Sequence, residues 1–422
     1  MSPDEPWHFA RAYEISGGTF LGGDGGYLDK GILQLWDYIS AGQIPPEVHY
    51  STQFRKEAGS IPWTGNLVFQ EFPNIAQYPP TGYLPQALGI IIGKMAGAGV
   101  VRTLAISRIF NALTAILICT CALFMCRAGK LFMFTILLLP MSLGLFASVS
   151  QDAALIALAA LAFAIISRQL AQSTPLSRGK LLLLLILFLV ISLGRPPYAA
   201  LTLILFIPGL LPRWGKLPAW LTACACIATN VLVVVAWWLF TLSRMHVFAH
   251  PASQGGQYSA SLQLWNLIHH PELAFQLVQF SVATALATLA AIIGLVGWRT
   301  TMVPLLYYPA MMSILAIATA AEIAGHEETG RKIHRLIFAS FAITVLAIYF
   351  IEYLTWTEVG AAVIFGVQGR YFLPVAIALG LGIHGHRPSN QTFNRLAAVV
   401  IAAQLLTCIC LPYSIYMRFY VH

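Results

Sequence analysis

The sequence is poor in charge. Of its 422 residues only 9% are Asp, Glu, Lys or Arg, while 58% are apolar. Soluble domains carry about 25% charged residues. The 24 basic and 16 acidic side chains cannot cover a soluble protein of this length. That excludes an ordinary cytosolic enzyme, a disordered chain and a nucleic-acid-binding module. Acids are scarcest in the middle, where Asp152 is the one acid between Phe72 and Pro271. Cysteine makes no framework either. The seven, at 119, 121, 126, 224, 226, 408 and 410, lie in or beside apolar runs. Cys-x-Cys neighbours on a helix point about 200° apart, so they suit neither a disulfide nor a metal site and read as small buried apolar residues. Also lacking are a Walker loop, a dinucleotide fingerprint and a serine-hydrolase elbow.

What is present is a polar segment followed by apolar runs. Residues 1–81 hold nine of the 16 acids and are rich in Gly, Pro and aromatics, with an amphipathic patch over 28–39. No signal peptide opens the chain, which begins almost directly on the charged motif PDEPWH. The expectation is a first membrane helix upstream of Met1. Clear candidate spans are 103–126, 131–149, 218–241, 302–321, 336–354 and 397–416, with shorter ones at 151–167, 180–194, 197–212 and 370–386. Two segments stay ambiguous: 84–100, interrupted by Lys94, and 273–297, which carries Gln276, Gln279, Ser281 and Thr284. The fold class expected is all-α: a polytopic integral membrane protein of about ten to twelve spans. It would have a first extracytoplasmic loop (1–81) and a transmembrane helical domain (82–422) with an outer loop at 242–271.

The basic residues arbitrate topology. Arg127/Lys130, Arg168/Arg178/Lys180, Arg213/Lys216, Arg331/Lys332/Arg335 and Arg387/Arg395 fit cytoplasmic loops if both ambiguous segments are re-entrant or interfacial. Residues 1–107, 150–152, 194–198 and 355–370 then face outside. Gly89, Gly93 and Gly97 repeat a small-xxx-small spacing, read as close helix packing.

On that outer side the costly polar residues collect. Asp4 and Glu5 precede His8 at the membrane boundary, where a carboxylate can act as general base or hold a divalent cation, or simply cap a helix. Tyr78 opens YPPTGYLPQ, a rigid entry to an apolar segment. Arg108 and Asn111 lie one turn apart near the outer end of a span. Asp152, in SVSQD, is either functional or a structural partner for Arg108 or Arg195. Arg195 and Tyr198 sit in GRPPY, between two half-length helices. Gln368, Arg370 and Tyr371 sit in GVQGRYFLP, where the arginine suits phosphate oxygens or anchors a loop. His246, His250, His269 and His270 match no usual metal spacing and read as loop histidines. His384 and His386 fall at the cytoplasmic end of a span.

The ordered set PDEPWHFARAYEISGG, YPPTGYLPQALG, SRIFNAL, SVSQDAALIALA, GRPPYAAL and GVQGRYFLP resembles a bacterial family of polytopic membrane proteins of unknown function. That family is allied to the C-type (GT-C fold) glycosyltransferases. The resemblance covers nearly the whole chain. It implies a sugar donor carried on a polyprenyl phosphate, and a catalytic acid in the first loop matched by Asp4 and Glu5, acting as base or binding metal. It further implies phosphate contacts from Arg370 and Arg195, with Arg108 placed as a family arginine at the outer end of a span. The acceptor-binding C-terminal domain of some relatives has no counterpart here.

The expectation is therefore a membrane glycosyltransferase of the bacterial cytoplasmic membrane, working on the extracytoplasmic face on a cell-envelope glycan, lipid or protein. Its partners would be membrane lipid, donor and acceptor, with no nucleic acid. Trp7, Trp36 and Trp63 would stack on sugar faces or anchor at the surface. The alternatives are a transporter or lipid-carrier translocase, and a non-catalytic subunit of an envelope polysaccharide assembly complex.

Overall fold

The computed structural model describes residues 4–38, 52–213, 217–246, 257–296, 301–323, 331–383 and 390–420. The chain is an all-α polytopic membrane protein. The strands among the described residues are two short antiparallel pairs, Gly25–Asp29 with Leu67–Glu71 and Leu295–Val296 with Thr301–Met302.

The polar N-terminal segment folds around its own core. Helix Glu5–Ser16 buries Phe9, Ala12 and Ile15 against Leu28, Ile32, Trp36 and Phe72. The hairpin pairs Tyr27 with Phe69, and helix Lys30–Tyr38 follows at once. Asp29 ties the ends of this excursion together. Its carboxylate accepts from the backbone N–H groups of Gly31 and Thr64 at 2.8 and 3.0 Å, and of Gly65 at 2.7 Å. The core continues past residue 81 into Tyr83, Ile90, Val100 and Leu104, so this unit and the membrane helices share one packed seam.

Five described helices are long and apolar enough to cross a membrane: Val100–Met125, Gln151–Gln172, Ala219–Leu242, Lys332–Trp356 and Gln391–Met417. A sixth arises if Glu272–Ala283 and Ala285–Gly294, bent by 50°, count as one. Beside these the described residues hold shorter apolar helices, among them Tyr307–Ile323 and Pro196–Phe206, because several apolar runs are broken in the backbone. The run 131–149 divides into Lys130–Leu137 and Pro140–Phe146, with Pro140 opening the second helix. The run 197–212 holds a 3₁₀ stretch, Pro196–Phe206, that opens on two prolines. The ambiguous 84–100 segment holds the 12-residue helix Leu84–Met95, about 18 Å long and too short to span a core of about 30 Å. The ambiguous 273–297 segment is the bent pair.

Gln151–Gln172 is the centre of the bundle. Of its apolar window 72% is buried, against 22–33% in the other four long helices. Val100–Met125, Arg178–Gly194 and Leu373–Ile383 pack around it. Its alanines 153, 157, 160 and 164 are fully buried and let neighbouring backbones come close. The helix has 22 residues, about 33 Å, and its two ends differ chemically. The first turn carries Asp152. Near the last turn, Ser167 accepts from the backbone N–H groups of Arg127 and Ala128, and Gln169 accepts from Lys180. The basic loops and the isolated acid thus lie at opposite ends of one membrane-length rod. All seven cysteines are free.

The small-residue spacing holds Leu84–Met95 against Val100–Met125. A Cβ on Gly89 would lie 2.6 Å from the Ser107 Cα, and one on Gly93 would lie 2.8 Å from Thr103 Cγ2. Gly179, also helical, has open space around it. Gly89→Ala is expected to lower the melting temperature in detergent by several degrees, while Gly179→Ala leaves it unchanged or slightly raised. Equal effects at the two positions would contradict the packing account.

Candidate functional site

Four charged side chains meet where four elements begin or end. Asp4 precedes helix Glu5–Ser16. Asp152 lies in the first turn of Gln151–Gln172, behind the N-cap Ser150. Arg195 follows Arg178–Gly194, which Pro196 and Pro197 stop. Arg370 lies in the 3₁₀ turn Gly369–Phe372 that leads into Leu373–Ile383. That turn is pressed onto the bent helix pair, for a Cβ on Gly369 would fall 2.2 Å from the Ala291 carbonyl carbon.

Arg370 Nη2 donates to Asp4 Oδ2 at 2.5 Å, and its Nε stands 3.3 Å from Asp152 Oδ2. Arg195 donates from Nε and Nη2 to Asp152 Oδ1 at 3.2 and 3.0 Å. Asp152 therefore bridges two guanidiniums, and Asp4 adds a second counter-ion. The side chains of Arg370 and Asp152 are 3% exposed and that of Arg195 11%, whereas Asp4 is 31% exposed. Asp4 is the member that solvent reaches. The Arg195 guanidinium lies 3.8 Å from the centroid of the Tyr371 ring, a cation–π contact. Tyr198 donates its hydroxyl to the Tyr371 carbonyl at 2.8 Å and fixes that ring's backbone. Gln368 caps the same turn, its carbonyl accepting from Tyr371 N–H at 3.0 Å.

Glu5 takes a different partner. Arg108 grips it with two donors, Nε to Oε1 at 2.7 Å and Nη2 to Oε2 at 2.8 Å, and Val149 N–H adds a third bond to Oε1 at 2.8 Å. Glu5 is fully buried. Asp4 stands before the helix with a left-handed backbone (φ 59°), whereas Glu5 is the first helical residue, so the two side chains divide. Asp4 faces the two-arginine cluster, and Glu5 locks the N-terminal helix to Val100–Met125. Asn111, one turn below Arg108, ties Gln86 to the SVS turn, accepting from the Gln86 amide at 2.7 Å and donating to the Ser148 carbonyl at 2.7 Å.

His8 is buried beside the cluster. Its Nδ1 is 2.6 Å from the Tyr83 hydroxyl, its ring stacks on Tyr78 at 6.4 Å, and its Nε2 is buried without a hydrogen-bond partner. Burial, helped by the positive charge of Arg370, pushes its pKa down to about 4, so the ring is neutral near pH 7. For Asp4 burial works upward, but Arg370 outweighs it and holds the carboxyl below the usual range. Burial likewise raises Glu5, and Arg108 more than reverses it. Both acids are ionised at neutral pH. Tyr78 is positioned by Arg11, whose Nε and Nη2 donate to the Tyr78 carbonyl at 3.2 and 3.1 Å.

The expected tryptophan platforms are turned to packing. Trp7 and Trp36 meet edge to face at 4.7 Å, with Trp36 buried. Trp63 stacks on Tyr13 at 5.5 Å, and Lys94 sits over both rings. Of the histidines, His246 pairs with Asp24 and His270 with Glu272, while His250, His384 and His386 lie outside the described residues. Among the described residues, no group of three His, Cys, Asp or Glu side chains is arranged to hold a metal. Three residues escaped the reading of the sequence: Arg11, Tyr83 and Glu352. Glu352 carried a usable signal, as an acid inside an apolar run.

A model of one protein family, described as a predicted membrane protein, DUF2142, matches residues 1–379. The chain belongs to this family. No curated protein and no solved structure matches the chain. The DUF2142 match contains every residue of the ion-pair cluster, so the site lies within the part of the chain that defines the family.

Beside the cluster's N-terminal helix, a cleft of about 650 Å³ is lined by Tyr13, Glu14, Asp24, Tyr27, Phe69 and Lys94, among others. Burial raises Glu14 to about 7, despite its 3.1 Å pair with Arg11. An acid whose pKa rises on folding binds more protons folded than unfolded. Stability therefore falls as pH rises from about 4.5 to about 7 and levels off above. Melting temperatures of wild type and Glu14→Gln across pH 5–8 should differ in slope, the variant being the flatter. Parallel curves would contradict this account of Glu14.

Proposed function

We propose that this membrane protein transfers a sugar from a polyprenyl-phosphate donor to a cell-envelope acceptor. The single observation that carries the reading is the contact between the half-exposed Asp4 carboxylate and the buried Arg370, beside Asp152 and Arg195. This arrangement offers fixed positive charge for a phosphate and a carboxylate for a hydroxyl, at one end of the membrane helices. The basic loops at the other end of Gln151–Gln172 support an extracytoplasmic site in the cytoplasmic membrane.

The chemistry follows from the charges. The donor phosphate competes with Asp4 for Arg370, because a dianionic or diester oxygen offers the guanidinium the same forked contact as a carboxylate. Asp4, released from its counter-ion, becomes a stronger base. It takes the proton of the acceptor hydroxyl as that oxygen attacks the anomeric carbon. The bond from that carbon to the phosphate oxygen breaks, and polyprenyl phosphate leaves. Arg370 and Arg195 stabilise the charge gathering on the leaving oxygen in a site of low dielectric. Tyr371 and Tyr198 hold Arg195 in register, and Glu5 with Arg108 keeps the helix that carries Asp4 in place. Glu5 acts as a positioning residue in this mechanism.

Purified protein in lipid nanodiscs should transfer radiolabelled sugar from polyprenyl-phosphate donors. Asp4→Asn should lower kcat by about 10²–10⁴-fold with KM little changed, as loss of a general base does. Transfer unaffected by Asp4→Asn would overturn the assignment. The bent pair Glu272–Gly294 and the 3₁₀ stretch Pro196–Phe206 favour a lipid-carrier translocase as a second reading. Donor flipping in liposomes without transfer would select it.

A further inference from the structure

Among the described residues, two buried acids lie toward the C-terminal ends of apolar helices, and their carboxyls are treated differently. Glu322, on Tyr307–Ile323, accepts from Gly129 N–H at 3.2 Å and from Leu131 N–H at 2.7 Å, and so caps helix Lys130–Leu137. Both of its oxygens are used, and its role is structural. Glu352, on Arg331–Trp356, is equally buried at 9% exposure, but its Oε2 has no hydrogen-bond partner. A buried polar atom left unmatched is costly, since it has given up water without a replacement bond. Such an atom calls for a ligand.

The surroundings of Glu352 say which kind. Glu352 lies within electrostatic reach of Arg195, Arg370 and Tyr371, residues of the proposed donor site, and of Tyr78. The two arginines already carry matching counter-ions in Asp152 and Asp4, so Glu352 is not required for charge balance. A second unmatched buried atom, His8 Nε2, belongs to the same cluster, since His8 feels Asp4, Asp152 and Arg370. The backbone at Gly366 packs closely on the Glu352 carboxyl. Gly366 has φ +86°, and a Cβ there would lie 2.4 Å from Glu352 Oε2 and 2.9 Å from Trp356 Cβ. No larger residue fits without displacing the carboxyl.

A cation is a poor occupant beside two guanidiniums. A second anion is excluded by the carboxyl itself. A hydroxyl group suits the atom in either protonation state, because it both donates and accepts. We infer that Glu352 Oε2 hydrogen-bonds a hydroxyl of the sugar on the lipid-linked donor, so that Arg370 and Arg195 read the phosphate and Glu352 reads the sugar. This rests on the donor assignment proposed above, and it makes Glu352 a specificity-determining residue.

Binding of two lipids to the full-length protein in nanodiscs separates the claims: polyprenyl phosphate without sugar, and the same lipid carrying a hexose. For wild type, the sugar-bearing lipid should bind more tightly. Glu352→Ala should weaken it at least tenfold and leave the sugar-free lipid within twofold. Gly366→Ala, which pushes on the same carboxyl, should move the preference in the same direction. If Glu352→Ala fails to fold, Glu352→Gln, which has the same shape, should still narrow the preference at least threefold at an unchanged melting temperature. Equal loss with both lipids, or no loss with either, overturns the role of Glu352 and leaves the phosphate site standing. No binding of either lipid to wild type overturns the donor assignment and this inference together.

Discussion

Arg370 is the constraint on which the rest depends. Its side chain is 3% exposed, at the mouth of an apolar helix, and a guanidinium cannot shed its charge there. A buried cation must be paired, and removing one partner of such a pair costs roughly 3–5 kcal/mol. Asp152 comes from the central helix and Asp4 from the N-terminal layer, so one cation joins the two layers. Asp152 also neutralises Arg195, which allows the chain to stop a helix at Pro196 inside the bundle. The bidentate pair Arg108–Glu5 repeats the device one residue along. The N-terminal helix is thus held to the membrane helices by two ion pairs as well as by its apolar seam.

Under the proposed function the same pairs set the chemistry. Asp152 and Glu5 are almost wholly buried and held in place by their paired arginines. Asp4 differs in being 31% exposed and in sharing its arginine with a second acid. If an incoming anion takes Arg370, the bundle keeps Asp152 as internal counter-ion. Asp4 can then be released at small structural cost. A reactive carboxylate is obtained without an unpaired buried charge in the resting protein.

The charged part of the site was legible in the sequence because charge is rare in it. Asp4, His8, Arg108, Asp152, Arg195 and Arg370 stood out against apolar surroundings, and the structure brings Asp4, Asp152, Arg195 and Arg370 into contact. The division of Asp4 from Glu5 was not legible, since it depends on the left-handed backbone at Asp4 and on the seating of Glu5 against Val149 and Arg108. Glu352 was legible only as an acid inside an apolar run, a signal that the hydropathy average of its 26-residue helix dilutes. Where the apolar runs break was not legible either. Hydropathy counts apolar length, whereas Pro140, the Pro196–Pro197 pair and the bend after Ala283 break the backbone without making it polar. The packing role of Gly89 and Gly93 was legible, because a repeat of small residues four apart has little other use in an apolar helix.

The central claim is that a phosphate exchanges with Asp4 on Arg370. An electron cryo-microscopy structure of the protein in nanodiscs with polyprenyl phosphate tests it most directly. The account predicts phosphate oxygens within about 3 Å of the Arg370 and Arg195 guanidiniums, with the Asp4 carboxylate moved off Arg370 and Asp152 still in place. A lipid phosphate bound elsewhere, with the Asp4–Arg370 pair intact, would contradict it.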